Sequence, residues 1–345
     1  MTADSTPFAG RVETGAGWAG TGVGRALAPV GWRDAVISSA RLAREEPALL
    51  GVGLLGYLAR GGLVLFALPI VVLPTPTGIS NFLGGTALTG AGPSDGLIRL
   101  AILALGGVLT LTFAGTVLGA VADLMLFRET MAVGLARQRG AVTPAGRDAV
   151  VREVVARVPL RPSLVLRVTL VRLVSLVPVA VASAWGASRL VAATYHQLIL
   201  PDDLAVPLGL RVLHEAADAA IVVIVAWLFG ELVGGLAVRQ LVARGTSVPA
   251  ALVRAVLGLA QRPATGAATF VLGTLLTTVV TLAVLLASAA IWSRLQGLLA
   301  DDSAVWLVVP ATLLLVAVWG GGLVAVGATV TWRSILTSFD VLRAR

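Results

Sequence analysis

The sequence has no cysteine and no lysine, so all 26 of its basic residues are arginine. Without cysteine there can be no disulfide, thiolate nucleophile or Cys-ligated metal; the redox compartment is left undetermined. Charge is scarce too, at 13% of residues, against 57% apolar residues and a mean hydropathy of +0.93. A water-soluble chain of this composition would expose large apolar patches, so lipid must solvate much of the surface. The formal net charge of +8 then reads as a topology signal beside anionic headgroups rather than as a nucleic-acid contact. The all-arginine set goes with the Ala, Gly, Val and Leu excess and reads first as coding bias. Residues 1–30 are small and polar and lack the apolar core of a signal peptide, which predicts a disordered cytoplasmic tail.

A hydrocarbon layer of roughly 30 Å needs about 20 helical residues. Six segments meet this, at about 48–73, 97–126, 163–192, 208–237, 266–293 and 304–331. They are apolar all round rather than alternating, which predicts helices and not β-spans. Stretches 1–47, 127–162, 238–263 and 332–345 hold 5, 7, 4 and 3 arginines. The connections 74–96, 199–207 and 296–304 hold none and carry Asp95, Asp202, Asp203, Asp301 and Asp302. Both termini are therefore expected on the cytoplasmic side of the plasma membrane.

The cytoplasmic stretches resemble one another. A short Arg-containing segment precedes Pro47, Pro162 and Pro263 before spans one, three and five, and Arg128, Arg239 and Arg333 close spans two, four and six. Aligning these arginines superimposes Gly115 on Gly320 and Gly119 on Gly230. The expected architecture is an all-α integral membrane protein of six transmembrane helices. They form one membrane domain over 31–345, built as three tandem repeats of an interfacial helix plus two spans, at about 31–142, 143–246 and 247–345. Proline fits a first helical turn and can turn a surface helix into a span. An Arg at the inner end can snorkel to lipid phosphates. Three like-oriented units place any pseudo-axis along the membrane normal, unlike the inverted repeats of many transporters.

Val150, Val151, Val154, Val155 and Val158 mark the clearest amphipathic helix, starting at Thr143–Pro144, with 31–45 and 248–261 as weaker examples. Plain cytoplasmic connectors are the alternative for all three. The paired glycines at 115 and 119 and at 230 and 234, with the threonines between 274 and 281, read as helix-packing devices.

Charges within the spans are the sharpest candidates: Arg60, Asp123, Arg167, Arg172 and Glu231. Arg60 stands thirteen residues beyond Pro47, roughly 20 Å up a helix. The same depth ruler pairs Arg167 with Asp123 and Arg172 with Glu231, with Arg60 joining Glu231. Locking the helices together is the first reading of these pairs; an ion or proton path through Glu231, Arg60 and Arg172 is the second, and anionic lipid binding the third. His196, His214, Glu215 and Asp218 with Asp202 and Asp203 make an outer charge cluster. His214 and Glu215 face different ways on a helix, which argues against a metal site there. HExxH, GxSxG and Gly-rich phosphate loops are all missing from the sequence.

On the residues Pro47, Pro162 and Pro263 with Arg128, Arg239 and Arg333, residues 31–345 resemble the six-span proteins related to the membrane domain of glycerophosphodiester phosphodiesterase. The resemblance implies a membrane module acting on or among lipids. The soluble phosphodiesterase domain of some relatives is missing, so hydrolase activity does not carry over. The expected function is a non-enzymatic module that organises lipids or partners, with a permease or channel-like component as the alternative. Membrane lipids with anionic headgroups are the expected partners, beside protein partners or a homo-oligomer. No cofactor or metal is expected.

Overall fold

The computed structural model describes residues 32–67, 95–140, 143–200, 206, 208–261, 263–300 and 305–343. The expected tail at 1–30, residues 74–94 of the first outer connection, and Asp202, Asp203, Asp301 and Asp302 lie outside the described residues. All described elements are helical: α1 Trp32–Glu45, α2 Pro47–Tyr57, a wide π turn at Leu58–Gly62, α3 Leu63–Ala67, α4 Asp95–Gln138, α5 Pro144–Arg157, α6 Pro162–Ile199, α7 Leu208–Glu215, α8 Ala217–Arg244, α9 Val248–Gln261, α10 Pro263–Ala300 and α11 Val305–Arg343. Six segments are long and apolar enough to cross a membrane: Pro47–Ala67, Ile98–Ala136, Pro162–Ile199, Ala217–Arg244, Ala268–Ala300 and Val305–Phe339. The protein is an all-α, multi-pass membrane protein.

The helix ends follow local chemistry. Pro47, Pro162 and Pro263 each open their helix, where a missing N–H costs nothing. Thr143 caps α5 by accepting from Gly146 N at 3.2 Å, and Gly245, at φ 62°, ends α8. Most spans outrun the expected limits, α4 reaching 44 residues. Hydropathy marks only the part that lipid solvates, and no glycine turn interrupts this helix until Gly140, at φ 64°. The fourth span also differs: a turn at Ala216 separates α7 from α8, so the span starts at 217 rather than 208.

The first span is broken. Arg60 (φ −87°, ψ 20°) and Gly61 (φ 107°, ψ −7°) leave helical geometry inside the π turn. Only glycine adopts that φ without a Cβ penalty. Gly61→Ala is expected to lower stability by about 1–2 kcal/mol. Gly51→Ala, whose Cβ would meet nothing within 4 Å, should gain about 0.5–1 kcal/mol from helix propensity. Thermal unfolding of the two purified variants in detergent checks the opposite signs.

Neighbouring spans pair as α2 with α4, α6 with α8 and α10 with α11, and α11 also packs along α2. The largest buried cluster lies where Phe127, Met131 and Leu135 of α4 meet Val150 and Val154 of α5, Val158 just beyond it, Leu241 of α8 and Ala251 of α9. A second cluster joins Leu42 of α1 to Ile335, Leu336 and Phe339 of α11. Thus α1, α5 and α9 close one end of the spans. Each is fourteen residues long and precedes a helix that begins with Pro. Apolar and polar residues separate more sharply on α1 and α9 than on α5, the reverse of expectation.

Candidate functional site

The break in the first span sets the site. It frees the Arg60 side chain to fold back, donating Nε to Gly56 O at 3.0 Å and Nη1 to both oxygens of Asp123 at 3.0 and 3.2 Å. Gly119 of α4 leaves the room, since a Cβ there would crowd the Arg60 stem. Arg172 of α6 approaches Asp123 from the other side, its Nε and Nη2 donating to Oδ2 at 3.0 and 2.5 Å. Its third nitrogen, Nη1, stands 3.7 Å from Glu231 Oε1 of α8 and has no hydrogen-bond partner. Arg333 of α11 completes the row, Nη2 donating to Glu231 Oε2 at 2.9 Å. The row Arg60–Asp123–Arg172–Glu231–Arg333 joins spans one, two, three, four and six.

Arg239 is the odd member. It is 5% exposed, yet its hydrogen bonds go to neutral acceptors: Ser338 Oγ at 3.0 Å, Gly235 O at 2.8 Å, Ser334 O at 3.0 Å and Ser334 Oγ at 2.8 Å. Ser334 and Ser338 are four residues apart on α11, so one face offers both hydroxyls. Around one small cavity, of about 30 Å³, stand the guanidinium groups of Arg60, Arg172, Arg239 and Arg333 and the carboxylates of Asp123 and Glu231. Cavities of roughly 10–15 Å³ by this measure hold a water, so this one accepts one or two waters or the oxygens of an oxyanion. The first turns of α10 supply Gly266 and Thr269 to its wall, and Thr269 is held by Trp32 of α1, whose Nε1 donates to Oγ1 at 3.0 Å.

A second cavity of about 400 Å³ shares Arg60, Glu231, Val330 and Arg333 with the first. Tyr57, Gly61, Gly62 and Leu65 of the first span, Trp227 of α8, and Thr274, Thr277, Thr278, Thr281, Leu282 and Leu285 of α10 form the rest of its wall. The threonines read as packing devices thus line a cavity. Thr277 bonds back to Gly273 O in its own helix at 2.9 Å.

Four of the five intramembrane candidates, Arg60, Asp123, Arg172 and Glu231, therefore meet; of the expected pairs Arg172 with Glu231 forms, at 3.7 Å, and the others do not. Asp123 takes Arg60 and Arg172, and Glu231 takes Arg333. Arg167 is exposed among the lipid-facing Leu166, Leu170 and Val174. Arg239 and Arg333 were expected to snorkel to phosphates and instead turn inward, because α8 and α11 offer them acceptors there. Arg128 does not join. It stands 3.7 Å from Glu129 Oε1 and lines a separate cleft of about 640 Å³ with Glu46, Met125 and Asp148. In the charge cluster expected at the outer end, His196 Nδ1 lies 3.2 Å from Glu215, Gln197 donates to Glu215 at 2.9 Å, and Arg189 meets Asp218 at 3.4 Å. No group of three metal-ligating side chains occurs among the described residues.

No protein-family model matches the chain, and neither does any curated protein or solved structure.

Proposed function

We propose that the protein is a non-enzymatic membrane module that holds an anionic group at its arginine-rich centre, in the cytoplasmic half of the membrane. One observation carries this: among the described residues four guanidinium groups face two carboxylates around one cavity, an excess of two positive charges. Unpaired charge at membrane depth is costly, and Arg239 has no carboxylate of its own. A bound anion supplies the missing counter-charge. Both carboxylates are occupied by guanidinium groups, which supports binding rather than acid–base chemistry. The ion-pair row closes the centre across five spans, which favours holding over conducting. The arginine distribution supports cytoplasmic termini, although α4, α6, α7 and α10 carry Arg99, Arg189, Arg211 and Arg294 toward the outer ends.

The test is titration of the purified full chain with inorganic phosphate at fixed ionic strength, read by thermal stabilisation. Wild type is expected to gain stability with phosphate concentration, and Arg239→Gln to bind about tenfold or more weakly, as loss of a charge-assisted bond of roughly 1.5–3 kcal/mol implies. Arg189→Gln, at the exposed outer end, keeps the wild-type response. Equal responses from wild type and Arg239→Gln refute the reading. Phosphate flux into liposomes above the protein-free level would favour the permease instead.

A further inference from the structure

Resting on that reading of the centre, we infer that the anion is the phosphate monoester head of a single-chain amphiphile. Its chain occupies the 400 Å³ cavity and enters sideways between α8 and α10.

Charge selects the head. A phosphate monoester carries about −1.5 to −2 at neutral pH and offers three acceptor oxygens. That matches the excess of two positive charges, where a carboxylate or a phosphodiester supplies only one. Arg172 is 6% exposed, and its Nη1, without a hydrogen-bond partner, lines the small cavity. The larger cavity holds a second such atom, Thr274 Oγ1, in a residue 7% exposed. Neither makes a hydrogen bond within the protein, the nearest carboxylate oxygen to Arg172 Nη1 being Glu231 Oε1 at 3.7 Å.

The larger cavity selects the chain. It runs from the charged end at Arg60, Glu231 and Arg333 to Leu65, Trp227 and Leu282, which are 41%, 41% and 53% exposed. All three are apolar, exposed and within membrane-spanning helices, an opening suited to lipid. The pairing of the spans explains the opening. α8 packs on α6 and α10 packs on α11, which leaves the gap between α8 and α10 to other occupants. The break in the first span deepens the space, since a Cβ at Gly61 would meet nothing within 4 Å. The volume falls in the range of about 300–1,000 Å³ usual for small-molecule sites. A polar head at one end and an apolar mouth at the other make an amphiphile's outline.

The experiment compares dodecyl phosphate, inorganic phosphate and dodecanoate as ligands of the full chain in one neutral detergent. Dodecyl phosphate is expected to bind at least tenfold tighter than either of the others. Thr278→Trp and Leu282→Trp, which fill the mouth, should each weaken dodecyl phosphate at least tenfold and leave inorganic phosphate unchanged, which also shows that the variants fold. Equal affinity for dodecyl and inorganic phosphate, or no loss in both Trp variants, overturns the chain site while the anion centre stands. Equal affinity for dodecanoate overturns the two-charge match. Wild type that binds none of the three removes the anion centre itself.

Discussion

Asp123→Asn is expected to cost about 3–5 kcal/mol of stability, the usual penalty for stripping one partner from a buried ion pair. Asp123 accepts from Arg60 and Arg172 on spans one and three while itself only 5% exposed. The amide keeps the shape and removes the charge, so two guanidinium groups lose their shared counter-ion at membrane depth. Asp218→Asn is the control. Its partner Arg189 stands 3.4 Å away and both side chains are about half exposed, which limits the loss to roughly 1 kcal/mol or less. Unfolding titrations in mixed micelles compare the two, and similar losses would remove the structural role of the row. The double variant Asp123→Asn with Arg172→Leu should recover part of the loss, because it removes a charge that the single variant strands.

Gly115→Leu is expected to be nearly as damaging, for a steric reason. A Cβ on Gly115 would collide with the backbone carbonyl of Ala59, the residue before Arg60. A backbone atom at a helix break has no rotamer through which to move aside, so α4 must separate from α2, and overpacking of this kind typically costs about 1–3 kcal/mol or more. The displaced α2 also carries Arg60 away from Asp123. Gly107→Leu lies on the same helix, where a Cβ meets nothing within 4 Å; it should be neutral or stabilising, since leucine is the better helix former. Yield of monodisperse protein and midpoint of unfolding are the measurements.

Six spans were legible because hydropathy depends only on composition along the chain. The residues of the site were legible for a similar reason, since a charge inside a span stands out wherever it points. Of their pairings, only Arg172 with Glu231 was. Depth along a helix says nothing about direction around it, and Arg167 and Arg172, five residues apart, are rotated by about 140° from one another. Arg172 shares its face with Thr169 and Ser175, both buried, whereas Arg167 lies among exposed leucines; that polar stripe was the available signal. Arg239 and Arg333 were misjudged because nearness to a helix end suggested headgroups, while the Ser334–Ser338 pair that holds Arg239 is on another span. The break at Arg60–Gly61 was written only as two adjacent glycines after an arginine inside an apolar run.

The row of charges also alternates in the order of synthesis: Arg60, then Asp123, Arg172, Glu231 and Arg333, positive and negative in turn. Spans two, three and four each bring the counter-charge for the span before, the fifth brings none, and the sixth answers Glu231 of the fourth. A nascent chain halted after the first span holds an unmatched arginine beside a broken helix, and the second span relieves it. The membrane-insertion machinery must therefore keep early spans sheltered until their successors arrive, and the lone Arg239 stays exposed to that need until the last helix supplies its serines.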